Sequence, residues 1–401
     1  MGEQIVITGM GAVTSAGVGV ETYWEALLQG RCCISEFPGD PEEFPVRRGG
    51  VIKDFTPTDY LPKRLVLDME PFMQYAYLSA EEALAQGDLS AVPPERVGIV
   101  MASALSGLSL AGRAQSDFIS SGRKAGPKFL TKFMGNMTAS RLAIEKGFKG
   151  ASLSLGTACA SGGDAILLGA MLLQAGAADA VVVMAGESAM CGAMVQSLIR
   201  TGALSKTGYS RPFDTRRDGF VAGEGGGALI LEKESHAQAR KAPVLARLVG
   251  WGNNTDGYNP VAPCPDGSGA ARCMELALAQ AGLQPEDIDY INAHGTATLK
   301  GDVAEANALH RVFGRRPVPV SSTKGAVGHL MGAGGITELI ACIKALETGL
   351  IPPTVGCEEP DGECELNVVP AGAPLQAPLR RAMSNALGFG GQNSSIIVEK
   401  A

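Results

Sequence analysis

The sequence has few charged and few aromatic side chains. Charged residues make up 19% and aromatic residues 5% of the 401 residues, whereas 45% are hydrophobic and 53 are glycine. This composition is typical of a tightly packed α/β protein and excludes a disordered chain. A chain of this length buries a large core, either as one big domain or as two domains of ordinary size.

The chain also has no excess of basic residues. Its 34 lysines and arginines are outnumbered by 41 acidic residues, and the net charge of -7 argues against general nucleic-acid binding. The apolar run at residues 177–185 is too short to span a membrane and fits a buried strand. The first residues form a strand pattern without a basic region, so we expect no secretory signal and no membrane partner.

The cysteines argue against a disulfide-rich or metal-binding protein, and the first glycines argue against a dinucleotide-binding one. Nine cysteines at irregular spacing form neither a disulfide framework nor a metal-ligand pattern, so we expect no metal site and a reducing cytoplasm. Residues 4–9 are predicted to form a buried strand that opens into a glycine turn. Residues 9–14 (GMGAVT) begin like a dinucleotide fingerprint but have Thr14 at the third glycine position, so we interpret these glycines as tight packing.

A second glycine-rich stretch, residues 209–227, lacks the Gly-Lys-Ser/Thr step of a phosphate-binding loop. We interpret it as a set of tight turns with buried ion pairs.

One cysteine stands where a nucleophile is expected. Residues 155–163 (LGTACASGG) follow a β-prone run and precede a small-residue helix pattern at residues 164–174, so Cys159 is predicted on a sharp strand-to-helix turn. At a helix N-terminus, unpaired backbone N–H groups and the positive dipole end favour a thiolate. The alternative is that Cys159 is a small buried side chain among alanines and glycines.

Two of the four histidines lie at strand ends among glycines. His294 belongs to residues 292–298 (NAHGTAT), and His329 belongs to residues 321–335 (SSTKGAVGHLMGAGG), which lead into a helix pattern. Two histidines in this setting, with a turn cysteine available, favour a Cys-His-His site over purely structural histidines. A third glycine-rich loop, residues 385–393 (NALGFGGQN), precedes the terminal strand.

A charged pair accompanies the second histidine. Lys324 lies five residues before His329, and Glu338 lies on the following helix, so an ion pair across this turn is one possibility. An ordinary surface pair of little energetic value is the alternative.

A segment of the second half resembles one of the first. Residues 81–89 (EEALAQGDL), followed by prolines and a strand, resemble residues 275–283 (ELALAQAGL), followed by a proline and a strand. The similarity predicts an internal duplication, with chance similarity as the alternative. The N-terminal half, residues 1–240, would then carry the cysteine, and the C-terminal half, residues 241–401, the two histidines.

With these motifs in this order, the sequence resembles the β-ketoacyl-acyl carrier protein synthases of the elongating, type II kind, within the thiolase-like superfamily. The resemblance extends from residues 7–11 (ITGMG) to residues 388–391 (GFGG). It implies an α/β, thiolase-like, duplicated five-layered αβαβα fold and a homodimer. It also implies decarboxylative Claisen condensation of an acyl-enzyme thioester with malonyl-acyl carrier protein, which elongates a fatty-acid or polyketide chain. No cofactor is implied beyond the carrier's phosphopantetheine.

The resemblance further implies roles for single residues. Cys159 corresponds to the nucleophile, and His294 and His329 correspond to the pair that hydrogen-bonds the malonyl thioester carbonyl and stabilises the enolate. The amides of Cys159 and Phe389 correspond to the oxyanion hole, and Phe389 also lies on a mobile gating loop.

Other residues correspond to supporting positions of the family. Lys324 and Glu338 match a structural ion pair that orders the histidine loop. Thr296 and Thr298 match positions that hydrogen-bond the pantetheine arm, and Leu105 matches an aliphatic residue at the mouth of the acyl pocket. Basic residues expected to meet an acidic carrier protein near the entrance are Lys63, Arg64, Arg123, Lys124, Lys128 and Arg211.

The sequence departs from the family's fatty-acid enzymes at several positions. Leu299 replaces a usual proline, Gln392 a common threonine and Leu387 an aromatic residue, while Leu67 and Asp68 stand where relatives tend to be basic. These differences leave the catalytic positions intact. They make a specialised pathway, such as polyketide or aryl-polyene synthesis, an alternative to fatty-acid elongation.

Other functions fit the motifs less well. A thiolase acting on coenzyme A esters needs a second catalytic cysteine near the C-terminus, which residues 388–393 do not supply. A Cys-His-Asn condensing enzyme would lack His329. The alternative that stays open is a non-condensing, chain-length-determining partner subunit of a ketosynthase heterodimer, although such subunits lose the nucleophile that Cys159 provides.

Overall fold

A computed structural model describes residues 3–37, 46–188 and 190–401 of the chain. The strands are β1 (Ile5–Thr14), β2 (Gly17–Val18), β3 (Ser35–Glu36), β4 (Arg48–Gly49), β5 (Val97–Ala102), β6 (Ser152–Leu155), β7 (Ala180–Glu187), β8 (Gly225–Lys233), β9 (Ala246–Thr255), β10 (Tyr290–Asn292), β11 (Val320–Ser321), β12 (Leu350–Ile351), β13 (Leu375–Gln376), β14 (Arg381–Gly388) and β15 (Gln392–Lys400).

The α-helices are α1 (Val20–Leu28), α2 (Pro57–Tyr60), α3 (Lys63–Asp68), α4 (Pro71–Gly87), α5 (Leu108–Ser121), α6 (Phe129–Phe133), α7 (Asn136–Lys146), α8 (Ser161–Gln174), α9 (Gly192–Thr201), α10 (Glu234–Ala239), α11 (Ser268–Ala281), α12 (Leu299–Phe313), α13 (Lys324–Val327) and α14 (Gly334–Thr348). Short 3-10 helices span Leu89–Ala91, Pro94–Arg96, Pro285–Asp287, Met331–Ala333 and Phe389–Gly391. None of these helices has the length and apolar character that crossing a bilayer requires.

The strands form two runs with the same topology. The first run has the order β6-β5-β7-β8-β1, and the second has the order β11-β10-β14-β15-β9. In both runs the first three strands are parallel and the remaining pairings are antiparallel. The runs join where β1 pairs with β9 over residues 5–7. This repeated order agrees with the internal duplication predicted from the sequence.

Helices cover and separate the two strand runs. Helix α4 packs on β1, β7 and β8, and α11 packs on β9 and β15, so these two helices lie on the outer faces. Helices α8 and α14 contact each other and strands of both runs, so they form the layer between them. The result is the five-layered αβαβα arrangement expected from the sequence. Helix α14 is almost entirely buried, which explains why it is apolar on nearly every face.

Small residues bring the starts of the two central helices together. A Cβ atom added at Gly162 would lie 2.9 Å from the Ile336 backbone nitrogen, and one at Gly335 would lie 2.6 Å from the Gly163 nitrogen. Larger side chains would therefore push the helices apart. Since Cys159 precedes α8 and His329 precedes α14, this close approach positions both residues at one point.

The glycine-rich segments pack as the sequence analysis proposed, with one correction. The predicted turn after Gly9 is wrong, because β1 continues through Gly9 and Gly11 to Thr14. Added Cβ atoms would lie 2.3 Å from the Ala83 carbonyl oxygen and 2.0 Å from that of Ser79, so the glycines permit close packing on α4.

Ion pairs hold residues 209–227, as predicted. Arg216 pairs with Asp214 at 2.8 Å. The buried Arg217 pairs with Asp361 and lies 3.8 Å from Asp302.

Candidate active site

Cys159 lies on a tight turn between β6 and α8. The preceding residue, Ala158, has a φ of 50°, in the left-handed region that residues other than glycine rarely adopt. The Ser161 hydroxyl accepts a hydrogen bond from the Thr157 N–H at 2.8 Å and donates one to the Ala158 carbonyl at 2.6 Å. The Thr157 hydroxyl in turn donates to Asp164 at 2.6 Å. These bonds fix the strained turn that presents the thiol.

The two predicted histidines, His294 and His329, lie next to this thiol. The Nε2 atom of His329 lies 3.1 Å from the Sγ atom of Cys159. The rings of His294 and His329 stand edge to face with their centroids 5.2 Å apart. One ring nitrogen of each histidine and the sulfur all lie within 4.8 Å of one another. Phe220, which the sequence analysis did not single out, packs its ring edge to face with His329 at 5.4 Å.

Burial is the main influence on the protonation states of Cys159, His294 and His329. It raises the pKa of the Cys159 thiol to about 12, against the smaller lowering effects of Lys324 and the Phe389 backbone N–H. The thiolate expected from the helix N-terminus is therefore wrong for the resting site. Burial and the Lys324 charge hold the pKa of His294 and of His329 well below the usual value. The resting site is thus a neutral thiol beside two neutral imidazoles.

Lys324 and Glu338 form a buried ion pair. Their side chains are 1% and 3% exposed, and the Lys324 ammonium donates directly to the Glu338 carboxylate. The ordinary surface pair considered as an alternative is therefore wrong. Lys324 begins α13, just before His329, and Glu338 lies on α14, just after it, so the pair closes the loop that carries the histidine.

Two carboxylates that sequence analysis missed hold the other histidine loop. Glu305 on α12 accepts hydrogen bonds from the backbone N–H groups of His294 and Gly295, both at 2.8 Å. Asp302 accepts from the N–H groups of Phe213 at 2.8 Å and Ala297 at 3.1 Å. The available signal was two acidic residues spaced three apart at the start of the helix that follows the histidine motif.

The site opens into a cavity of about 490 Å³. One part of its lining is apolar and includes Leu105, Met194, Leu198, Phe220 and Met331. Another part carries the Thr296 and Thr298 hydroxyls, whose oxygens lie 3.1 Å apart, and is bordered by Leu299, Val261 and Phe389. The lining of the cavity therefore includes apolar side chains, two hydroxyl groups and the Cys159 thiol.

The Phe389 loop packs against the nucleophile turn. A Cβ atom added at Gly388 would lie 3.0 Å from the Thr157 carbonyl oxygen and 3.1 Å from the Cys159 nitrogen. The backbone N–H of Phe389 faces the thiol, while its side chain is 37% exposed. Two backbone N–H groups, of Cys159 and Phe389, thus lie beside the sulfur.

The predicted carrier-docking residues are on the surface, and several are already paired. Arg64 forms a two-point pair with Glu145, Lys128 pairs with Asp68, and Arg123 lies 3.6 Å from Asp117. Lys63 and Lys124 are exposed. Arg211 lies on a separate loop, with its guanidinium carbon 4.9 Å from the Tyr209 ring centre.

Comparison with known families matches residues 2–237 to "Beta-ketoacyl synthase, N-terminal domain" and residues 245–358 to "Beta-ketoacyl synthase, C-terminal domain". The chain belongs to the β-ketoacyl synthase family. This synthase is 36% identical to the 3-oxoacyl-[acyl-carrier-protein] synthase 2 of Staphylococcus aureus (strain COL) over 408 residues, which cover 99% of this chain and 98% of the relative. It is therefore a condensing enzyme, as the sequence predicted.

Solved structures confirm the fold of this synthase. The ishigamide ketosynthase/chain length factor matches with a TM-score of 0.94 and 30% identity, over 100% of both chains. The AntDE:AntF structure, described as a type II PKS acyl-carrier protein in complex with its ketosynthase bound to the hexaketide, matches with a TM-score of 0.91 and 28% identity, again over 100% of both chains.

Proposed function

We propose that this synthase elongates a carrier-bound acyl chain by decarboxylative Claisen condensation with malonyl-acyl carrier protein, using Cys159 as the nucleophile. The observation that carries the proposal is the 3.1 Å contact between Cys159 Sγ and His329 Nε2, with His294 beside it, inside a cavity that has both an apolar and a hydroxyl-bearing lining.

The first step is acyl transfer to the enzyme. Because the resting thiol is neutral, its proton passes to His329 Nε2 as the sulfur attacks the acyl thioester carbon. The tetrahedral oxyanion accepts hydrogen bonds from the backbone N–H groups of Cys159 and Phe389. The carbon–sulfur bond to the pantetheine arm then breaks, and His329 returns the proton to the leaving thiolate.

The second step is decarboxylation of the malonyl group. The bond from its central carbon to the carboxylate breaks, CO2 leaves, and the electron pair forms an enolate. Between the two steps His329 shifts its hydrogen from Nδ1 to Nε2 by proton exchange with solvent. The neutral imidazoles of His294 and His329 then donate ring N–H groups to the enolate oxygen, a role that suits histidines whose pKa lies well below the usual value. A charged imidazolium at each position would repel Lys324 and the other ring.

The third step joins the two units. The enolate carbon attacks the acyl thioester on Cys159, a carbon–carbon bond forms, and the carbon–sulfur bond breaks. Cys159 leaves as a thiolate and takes up a proton from solvent, which balances the reaction. The apolar lining that includes Leu105 and Phe220 accepts the growing chain, and the Thr296 and Thr298 hydroxyls hydrogen-bond the pantetheine amides.

The partner in this scheme is an acidic acyl carrier protein, and no separate cofactor is required beyond the phosphopantetheine arm that it carries. The exposed Lys63 and Lys124, with the paired Arg64, Arg123 and Lys128 and with Arg211, are the basic residues that would contact such a partner, although the enzyme's net charge is -7. The related AntDE:AntF complex contains a ketosynthase with its carrier protein, which supports this choice.

We further propose that the enzyme acts as a dimer through the edge of β6. Within the described residues this strand pairs only with β5, and its residues 152–154 are exposed. Leu153 of this strand is 41% exposed, and Ile144 of helix α7, which packs on β6, is 69% exposed. An unpaired edge beside exposed apolar side chains favours pairing with another subunit. Since Cys159 is retained, the chain is the condensing subunit whether its partner is identical or a chain length factor.

The Cys159→Ala variant tests the proposal. It is expected to lose acyl transfer and condensation completely while still releasing CO2 from malonyl-acyl carrier protein, because decarboxylation depends on the histidines. Acyl transfer is followed by intact-protein mass spectrometry and CO2 by trapping of labelled bicarbonate. Condensation by this variant at the wild-type rate would refute the proposed function.

A further inference from the structure

A buried carboxylate that none of these steps uses lies behind the active site. Glu187 is the last residue of β7 and is fully buried. Its Oε2 atom accepts hydrogen bonds from the N–H groups of Ala104 at 2.8 Å and Gly332 at 3.3 Å. Its Oε1 atom accepts from the Ser103 hydroxyl at 3.3 Å, and the Leu105 N–H also faces the carboxylate.

These donors belong to two separate segments, one after β5 and one after His329. Ala104 and Leu105 follow β5 and line the cavity beside the thiol. Gly332 lies in the 3-10 turn that follows His329, and its neighbour Met331 lines the same cavity with a φ of 47°. One carboxylate therefore holds the acyl-pocket wall and the histidine loop in a fixed relation.

Fold stability alone does not account for this residue. Among the described residues, no lysine, arginine or histidine lies within ion-pairing distance of Glu187, and burial raises the pKa of its carboxyl to about 7. A buried carboxyl without a cationic partner is costly, and an apolar residue at a strand end would avoid that cost. Its backbone contacts point instead to a need for exact spacing between two loops.

We propose that Glu187 is a positioning residue that fixes the Leu105 loop against the His329 turn and thereby determines which acyl chain lengths reach Cys159. The inference rests on the proposed function, in which Cys159 carries the acyl group. It adds a specificity-determining residue that touches neither the substrate nor the reacting atoms.

Alkylation of Cys159 by N-alkyl iodoacetamides of short and long chain tests the inference without a carrier protein or a condensation step. The sulfur attacks the methylene carbon and iodide leaves, so the ratio of long-chain to short-chain rates reports the shape of the pocket. In Glu187→Ala, the Ala104 and Gly332 amides lose their acceptor, and we expect this ratio to fall by about tenfold. Peptide mapping confirms that Cys159 is the modified residue.

Two variants separate positioning from folding. Glu187→Gln keeps a carbonyl oxygen for Ala104 and Gly332, so it is expected to restore the wild-type ratio within about twofold. Glu232→Gln changes a buried carboxylate on β8 that is bonded to Thr8 and does not line the cavity, so it should leave the ratio unchanged even if the protein unfolds more easily.

The outcomes are distinct. A folded Glu187→Ala protein with the wild-type ratio would overturn the inference. If that protein does not fold, Glu187→Asp replaces it, because the shortened carboxylate cannot reach both amides, and a wild-type ratio there would overturn the inference equally. Failure of the wild-type enzyme to accept acyl groups from a carrier would refute the proposed function but would not alter the alkylation ratios.

Discussion

The Nε2 atom of His329 and the Sγ atom of Cys159 lie 3.1 Å apart although the residues are separated by 170 positions in the chain. The contact depends on the close approach of α8 and α14, which Gly162 and Gly335 permit. It places a neutral base against a neutral thiol in a buried cavity. The chemistry proposed here follows from that pair together with the second imidazole of His294.

The first prediction concerns His329 as a hydrogen-bond donor to the enolate oxygen. His329→Ala removes an N–H aimed at the enolate oxygen, and the rate of malonyl decarboxylation is expected to fall by about 10²–10³-fold. The measurement is CO2 release under saturating malonyl-acyl carrier protein. His310→Ala, which alters a histidine on α12 that does not line the cavity, serves as the control and should keep the wild-type rate. Unchanged decarboxylation in His329→Ala would contradict the two-donor scheme.

The second prediction concerns pH. Because burial raises the pKa of the Cys159 thiol to about 12, the thiolate fraction is small at neutral pH. Below that pKa, the thiolate fraction increases by about tenfold for each unit by which the pH rises. Alkylation of Cys159 by iodoacetamide should therefore accelerate continuously through neutral and alkaline pH, beyond the ordinary thiol pKa of 9.0. A plateau at neutral pH would instead indicate a preformed thiolate–imidazolium pair.

Much of this arrangement is predictable from the sequence, because the informative signals are local. The small residues around Cys159 predict a turn and a following helix, which the structure starts at Ser161 rather than at residue 164. The repeated segment at residues 275–283 predicts the duplicated topology. The motif order identifies His294 and His329 as partners of the cysteine.

The parts that sequence analysis missed depend on distant contacts. Glu187 is a buried carboxylate whose role is set by the backbone N–H groups of Ala104 and Gly332, which are far from it in the sequence, and no local pattern identifies those donors. The thiol pKa was misjudged for the same reason. The helix N-terminus near Cys159 is visible in the sequence, whereas the burial that outweighs it depends on how the surrounding segments pack.

The third prediction concerns chain length. Leu105 lines the apolar part of the cavity, so Leu105→Phe adds volume where the acyl chain would lie. We expect the enzyme to accept shorter chains than the wild type does, with the rate for long chains reduced by about tenfold or more. Product analysis with a panel of acyl carriers checks this. Leu375→Phe, at an exposed leucine on β13, is the matched control, and a wild-type profile in Leu105→Phe would show that this side chain does not limit the pocket.

The fourth prediction concerns the buried ion pair. Lys324→Met leaves the Glu338 carboxylate buried without its cation, and this is expected to lower the free energy of unfolding by about 3–5 kcal/mol. Burial, the main cause of the low pKa of both histidines, is unchanged, but the variant removes the Lys324 charge that adds to it, so these pKa values should rise while staying below the usual value.

Denaturant unfolding and NMR titration of the imidazoles measure the two effects of Lys324→Met. Arg272→Ala, which breaks an exposed pair with Glu275, should cost no more than about 1 kcal/mol. Equal losses of stability in the two variants would contradict the structural role of the buried pair.

The most direct test of the central claim is the mass of the intact enzyme after incubation with an acyl-acyl carrier protein in the absence of malonyl carrier. The account predicts a mass increase equal to one acyl group per chain, located on Cys159 by peptide mapping and absent in Cys159→Ala. An acyl group on another residue, or no adduct on a folded enzyme, would contradict it.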